Sequence, residues 1–368
     1  MNYYYYEIAL SLVSGIGPIK AKNLIRYCGS AEAVFTEKKS RLLKIPEVGD
    51  FVINAIVKHN VFERVEKELE FIESNKIEVL YYQENNYPKR LLHCPDHPLI
   101  LFKKGDYDLD STYVLSIVGT RKATPYGREV CNEIVEYLKD YPVIIVSGLA
   151  YGIDIYSHQA ALNNNIPTVG VVAHGLDQLY PKAHVNQARE MLKNGGLLTE
   201  FVSGGKPERE NFPRRNRVVA GLSDAVLVVE SQERGGALIT ARLGQDYNRD
   251  VFAVPGKIKD PFSIGCNKLI YENGAGLYSN PEQFVKSMGW STNVKNNAKP
   301  QQLTLSLDLT EDEEKIVELL RNEPRIRKDE MSGKLSVPVS SISVTLLGLE
   351  LNGVVKSLPG GIFDLAIA

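Results

Sequence analysis

The chain has 368 residues with 43 Lys and Arg against 45 Asp and Glu, a formal charge of −2, so any attraction for an anionic partner must come from a local cluster. Its length exceeds one ordinary domain of about 100 to 200 residues, and 43% hydrophobic residues supply ample core for two or three. No run approaches the roughly 20 apolar residues of a membrane helix, and residues 1–6 lack the basic and apolar regions of a secretion signal, so a cytoplasmic protein without a membrane partner is expected.

Residues 1–80 are patterned for helices at 5–12, 18–27, 51–58 and 62–75. The turn Ser14-Gly15-Ile16-Gly17-Pro18 has the look of a helix-hairpin-helix or SAM-like domain, whose glycines present backbone N–H groups to phosphate. In the second turn, Ile45-Pro46-Glu47-Val48-Gly49, an acid stands where a glycine would be, so a packing or partner role is expected for this domain rather than DNA contact.

Residues 81–290 change to apolar runs at 114–118, 143–146, 168–172, 196–199, 225–229 and 251–254, separated by helix-length segments. Alternation of this kind predicts an α/β, Rossmann-like core with a parallel sheet. Polar and glycine residues follow these strands, and ligands of open parallel sheets bind beyond the strands' carboxyl ends. Residues 291–306 are polar enough to read as a linker, and 307–368 give three helices (311–320, 327–335, 339–352) and a Pro359-Gly360-Gly361 turn, the order of a winged-helix domain. No Lys or Arg occurs between Leu335 and Val355, so protein contact or dimer support is expected there rather than reading of a duplex.

Two anion-binding signals fall in the α/β domain. Residues 206–217 hold five bases, Lys206, Arg209, Arg214, Arg215 and Arg217, against Glu208 and Glu210, with Phe212 as a flat face for a base. Arg214 and Arg217 lie three apart on a helix opened by Pro213 and are expected to share a phosphate-facing surface. Arg215 either reaches a neighbouring phosphate or pairs with an acid such as Asp224. The second signal, Gly235-Gly236 ahead of Thr240, lets helix N–H groups approach an anion.

Metal and nucleotide chemistry lack their parts. Cys28, Cys94, Cys131 and Cys266 form no Cys-x-x-Cys pair, and the His93 to His97 cluster has no second ligand pair, so neither metal nor cofactor is expected. There is no Walker lysine loop. Asp154, Asp177, Glu200 and Glu230 lie near strand ends and could hold a divalent ion as in a nuclease, but Asp154 reads better as a loop cap.

The motifs Gly119-Thr120-Arg121 with Tyr126-Gly127, Ser147-Gly148-Leu149-Ala150-Tyr151-Gly152-Ile153-Asp154, Gly175-Leu176-Asp177 with Tyr180-Pro181, Asn211-Phe212-Pro213-Arg214-Arg215-Asn216-Arg217, Gly236-Ala237-Leu238-Ile239-Thr240-Ala241 and Val254-Pro255-Gly256 together resemble the DNA-processing protein A (DprA/Smf) family. That resemblance implies a homodimeric, non-catalytic binder of single-stranded DNA that protects incoming strands in natural transformation and loads the RecA recombinase. The site it implies comprises Gly119, Arg121, Ser147, Gly148, Tyr151, Gly152, Phe212, Arg214, Arg215, Asn216, Arg217, Gly235, Gly236 and Thr240. Tyr151 stands where relatives often carry a base. The alternative is a nucleotide-binding or nucleotide-hydrolysing enzyme of the related Rossmann-like kind, but Leu243 occupies the place of its catalytic glutamate.

Overall fold

The structure, a computed structural model, describes residues 4–46, 48–110, 113–292, 310–323, 326–335, 337–352, 354–358 and 362–365. Glu47, the segment 293–309 and the Pro359 to Gly361 turn lie outside them. The chain divides into two compact units, Met1–Val294 and Lys295–Ala368.

The first unit is built on a nine-stranded sheet: β1 (Glu78–Tyr81), β2 (Ile100–Asp106), β3 (Tyr113–Val118), β4 (Val143–Ser147), β5 (Thr168–Val171), β6 (Gly195–Thr199), β7 (Ala225–Val228), β8 (Asp250–Ala253) and β9 (Gly276–Leu277). Spatial order is β1-β2-β6-β5-β4-β3-β7-β8-β9. From β6 to β9 every pairing is parallel, whereas β2 joins β6 and β1 joins β2 antiparallel. The six parallel strands expected from the apolar runs are present. Strands β1 and β2 were not anticipated, because their apolar runs are short and carry or adjoin Glu78, Lys103, Lys104 and Asp106.

Alternation along β3 shows why the sheet is buried on both faces. Val114 and Val118 face one apolar cluster, beneath helices Asn211–Leu222 and Gly236–Asp246, while Leu115 and Ile117 face the other, beneath helices Pro125–Tyr137 and Ile153–Asn163. The chain starts its sheet at β3, moves outward through β4, β5 and β6, then crosses back to β7 on the other side of β3. A crevice therefore opens between the loops after β3 and β7, where the strand order reverses.

The helical stretch is part of this unit. Ile8, Val65, Ile100 and Phe102 share one cluster, and Leu24, Ile53, Tyr81 and Leu99 share another, so the helices cover the β1–β2 edge. Phe51 lies against Gly15, covering the first glycine turn with a phenyl ring. Among the described residues no helix is long and apolar enough to cross a membrane.

In the second unit, helices Glu311–Asn322, Lys328–Leu335 and Val339–Leu351 pack through Ile316, Leu320, Met331, Ile342, Leu346 and Leu349. Strands β10 (Ile326–Arg327), β11 (Val355–Leu358) and β12 (Ile362–Leu365) form a sheet in the order β10-β12-β11, which is a winged-helix arrangement. Its third helix exposes Val344 and Leu347.

Candidate nucleic-acid interface

A cleft of about 850 Å³ occupies the crevice. Its floor and sides come from three places: the loop after β3, with Gly119, Arg121 and Lys122; the loop after β7, with Gln232, Arg234, Gly235 and Gly236; and the segment 207–216, with Arg209, Phe212, Arg215 and Asn216. Thr240 and Gly148 complete the lining. Arg121, Lys122, Arg209 and Arg234 are exposed. A narrower recess of about 20 Å³ adjoins it between Tyr151, His174, Tyr180 and Phe212.

Phe212 is not a bare platform. The guanidinium of Arg121 lies 5.2 Å from its ring centre, that of Arg215 6.0 Å away, and Tyr180 meets it edge-on at 6.3 Å. Open ring surface nearby belongs to Tyr151 and Tyr180, which are about half exposed.

Arg215 is buried. It donates to the Val171 carbonyl and to Asn216 Oδ1, beside the buried carboxylate of Asp154. A Cβ on Gly148 would collide with both Asp154 and Arg215, so the absence of a side chain there lets the pair form. Burial pushes the Asp154 carboxyl up and the Arg215 guanidinium down, each against the pull of its partner. Asp224, the acid considered for Arg215, instead receives Arg90 at 2.6 Å and the Val114 N–H at 2.8 Å.

The expected phosphate-facing pair meets a carboxylate, and its two arginines differ in exposure. Arg217 turns inward, donating to Glu200 and to the Asp96 carbonyl, and Arg214 sits 3.6 Å from the same Glu200 with its guanidinium over Phe201. The two do share a face against Glu200, which is 5% exposed, but only Arg217 is buried there, while Arg214 keeps 54% of its side chain open to solvent. Ser147 and Gly152 also move out of the set that meets the cleft. The Ser147 hydroxyl is fully buried on the Ile117 carbonyl, and Gly152, at φ 82°, is packed against the backbone of Thr120 and Arg121, which it holds in place.

A buried histidine braces this region. His158 spans from the Gly148 carbonyl, 2.6 Å, to the Thr168 hydroxyl, 2.7 Å. Burial pushes its pKa, and that of His97, down to about 4. Each is neutral in the fold while the unfolded chain takes up its proton near pH 6.5. The stability so gained is complete above that pH and is lost as pH falls toward 4, at about 1.4 kcal/mol per pH unit for each imidazole. Asp154 and Glu200, whose carboxyls burial raises, run the opposite way, losing stability as pH rises through their folded values. Urea unfolding from pH 7 to 5 should therefore be shallower in its pH dependence for His158→Gln than for the wild type. Equal slopes would contradict the neutral, buried imidazole.

Sequence reasoning left Lys122, Tyr180 and Arg234 out of the site, although Tyr180-Pro181 stood beside the Gly175-Leu176-Asp177 motif. Lys122 and Arg234 each sit one or two residues from a named glycine motif, and extending those motifs by that span would have caught them. Tyr180 comes from a loop remote in sequence. Among the described residues no group of three His, Cys, Asp or Glu could hold a metal ion.

The sequence profile of DNA recombination-mediator protein A matches residues 78–289, more than half of the chain. The chain belongs to that family, the DprA/Smf family. The family's winged-helix domain profile matches residues 299–361. Protein Smf of Escherichia coli is 35% identical over 306 residues, covering 81% of this chain and 80% of its own. The X-ray structure of DNA processing protein A from Streptococcus pneumoniae superposes with a TM-score of 0.65 at 32% identity, over 78% of this chain and 98% of that one. A second DNA processing protein A structure, from Helicobacter pylori and described for its unique single-stranded DNA binding mode, gives 0.53 at 29% identity, over 58% and 95%. The DprA recombination-mediator profile spans all nine strands of the large sheet, and every residue of the cleft falls inside it.

Proposed function

We propose that this chain binds single-stranded DNA in the cleft between the loops after β3 and β7, without catalysing a reaction on it. One observation carries the reading: Arg121, Lys122, Arg209 and Arg234 converge on one cleft while the nearby acids Asp154, Glu200 and Glu230 are buried against partners of their own. Phosphates meet cations and helix N–H groups, and bases meet Tyr151, Tyr180 and the Arg121 plane, so contact is to backbone and ring faces with little discrimination among bases. The single-stranded DNA binding described for the Helicobacter pylori protein supports this assignment. In the wider role we propose, the chain acts as a homodimer that shields strands taken up in natural transformation and passes them to the RecA recombinase. Self-association would use the surface carrying Tyr271 and Leu277, exposed at the β9 edge of the sheet.

If four exposed cations each neutralise a phosphate, log K should fall against log salt with a slope of about −2.8, at roughly −0.7 per phosphate of a single strand. Fluorescence anisotropy with a labelled oligothymidylate measures it. A slope near zero would refute the cleft as a polyanion groove. Magnesium-dependent turnover of nucleoside monophosphates or of the oligonucleotide by the same preparation would favour a hydrolytic enzyme instead.

A further inference from the structure

The helical stretch does more than cover the sheet edge. Glu68, on helix Phe62–Ser74, is 2% exposed, and a carboxylate taken out of water must be met by donors. It is met by the loop that follows β6. The Ser203 N–H approaches both of its oxygens at 3.0 Å, and the Ser203 hydroxyl donates at 2.5 Å. Arg64, one turn earlier, donates to Glu68 at 2.8 Å and returns to the Ser203 hydroxyl at 2.9 Å and to its carbonyl. Val202, next door, packs into the cluster of Ile8 and Val65.

From that anchor the chain turns through Gly204, at φ 72°, to Gly205, whose carbonyl accepts from the Gly175 N–H at 3.1 Å and from Gln178 Nε2 at 2.8 Å. Pro207 and Arg209, two and four residues further, form one wall of the cleft. Among the described residues, Glu68 and Arg64 are the side chains from outside the α/β core that hydrogen-bond to Ser203 at the start of this wall. A long exposed loop would lose much of its grip to ordering entropy unless it were held beforehand.

We infer that Glu68 is a positioning residue for strand binding, holding the 203–210 segment so that Arg209 faces the cleft before DNA arrives. The inference rests on the reading of the cleft as a strand groove, but half of it is testable without DNA. In the full chain, Glu68→Gln keeps the shape of the side chain while placing an amide donor against the donors of Ser203 and Arg64. Backbone amides of residues 203–210 should exchange with deuterium about tenfold faster, with the amides of β4 unchanged. Oligothymidylate affinity should fall about fivefold, the size of a loop-ordering cost, and by less than about twofold when Glu68→Gln is made in an Arg209→Ala background. Ser203→Ala, a milder change to the same junction, should move both readouts in the same direction. Unchanged exchange in 203–210, or an equal affinity loss in both backgrounds, would overturn the inference. A wild-type chain that bound no oligonucleotide would sink the groove reading alone, and the exchange data would still decide whether Glu68 holds the wall.

Discussion

An Arg121→Ala chain is expected to bind a labelled oligothymidylate about 30-fold more weakly than the wild type, a difference of about 2 kcal/mol. Among the described residues two cations border both the main cleft and the narrow recess, the buried Arg215 and the exposed Arg121, whose guanidinium is already oriented by the Phe212 ring 5.2 Å away. Charge-assisted hydrogen bonds to phosphate contribute about 1.5 to 3 kcal/mol, and little side-chain ordering remains to be done on binding. The salt slope should become shallower by about 0.7, the share of one phosphate. Arg121→Lys keeps the charge but loses the planar contact, so it should retain the wild-type slope with an intermediate affinity. Anisotropy titrations at several sodium chloride concentrations read all three. An Arg121→Ala chain with unaltered affinity and slope would place the strand elsewhere.

Glu200→Ala should have its main effect on folding. The carboxylate is 5% exposed and receives Arg217, itself 9% exposed in its side chain, together with Arg214. Removing it leaves a buried guanidinium with only the Asp96 carbonyl, a situation that costs about 3 to 5 kcal/mol. Replacing both partners with apolar groups, as in Glu200→Leu/Arg217→Met, should restore most of that loss, because no charge is then stranded. Urea unfolding of the three chains gives the comparison. If the double variant were as unstable as Glu200→Ala, the pair would not be the cause.

The contrast between Arg121 and Arg217 marks how far the residues speak for themselves. Apolar runs of β-branched residues announced the six parallel strands, because a strand buried on both faces has no polar positions to blur it. The edge strand β1 and its neighbour β2 were illegible for the opposite reason: charged residues interrupt their apolar runs, and Lys103 and Lys104, which are only partly buried, look like loop. On helix Asn211–Leu222 the spacing correctly put Arg214 and Arg217 together, but spacing fixes relative phase and not which way the face turns. A clue was available for Arg215. It precedes Val218, Val219 and Leu222 by three, four and seven residues, so it belongs to the stripe that helix buries. What no local pattern could supply was Glu200, which reaches Arg217 only through the fold.

Glu230 accepts from the Thr124 N–H at 2.9 Å and from its hydroxyl, Asp154 accepts from the Ala150 N–H, and Glu200 holds its two arginines. With these acids withdrawn from the rim, a body of charge −2 still shows a positive groove. Neighbouring copies bound along one polymer would consequently feel almost no mutual repulsion at long range, and their spacing would be set by molecular size instead of by ionic strength.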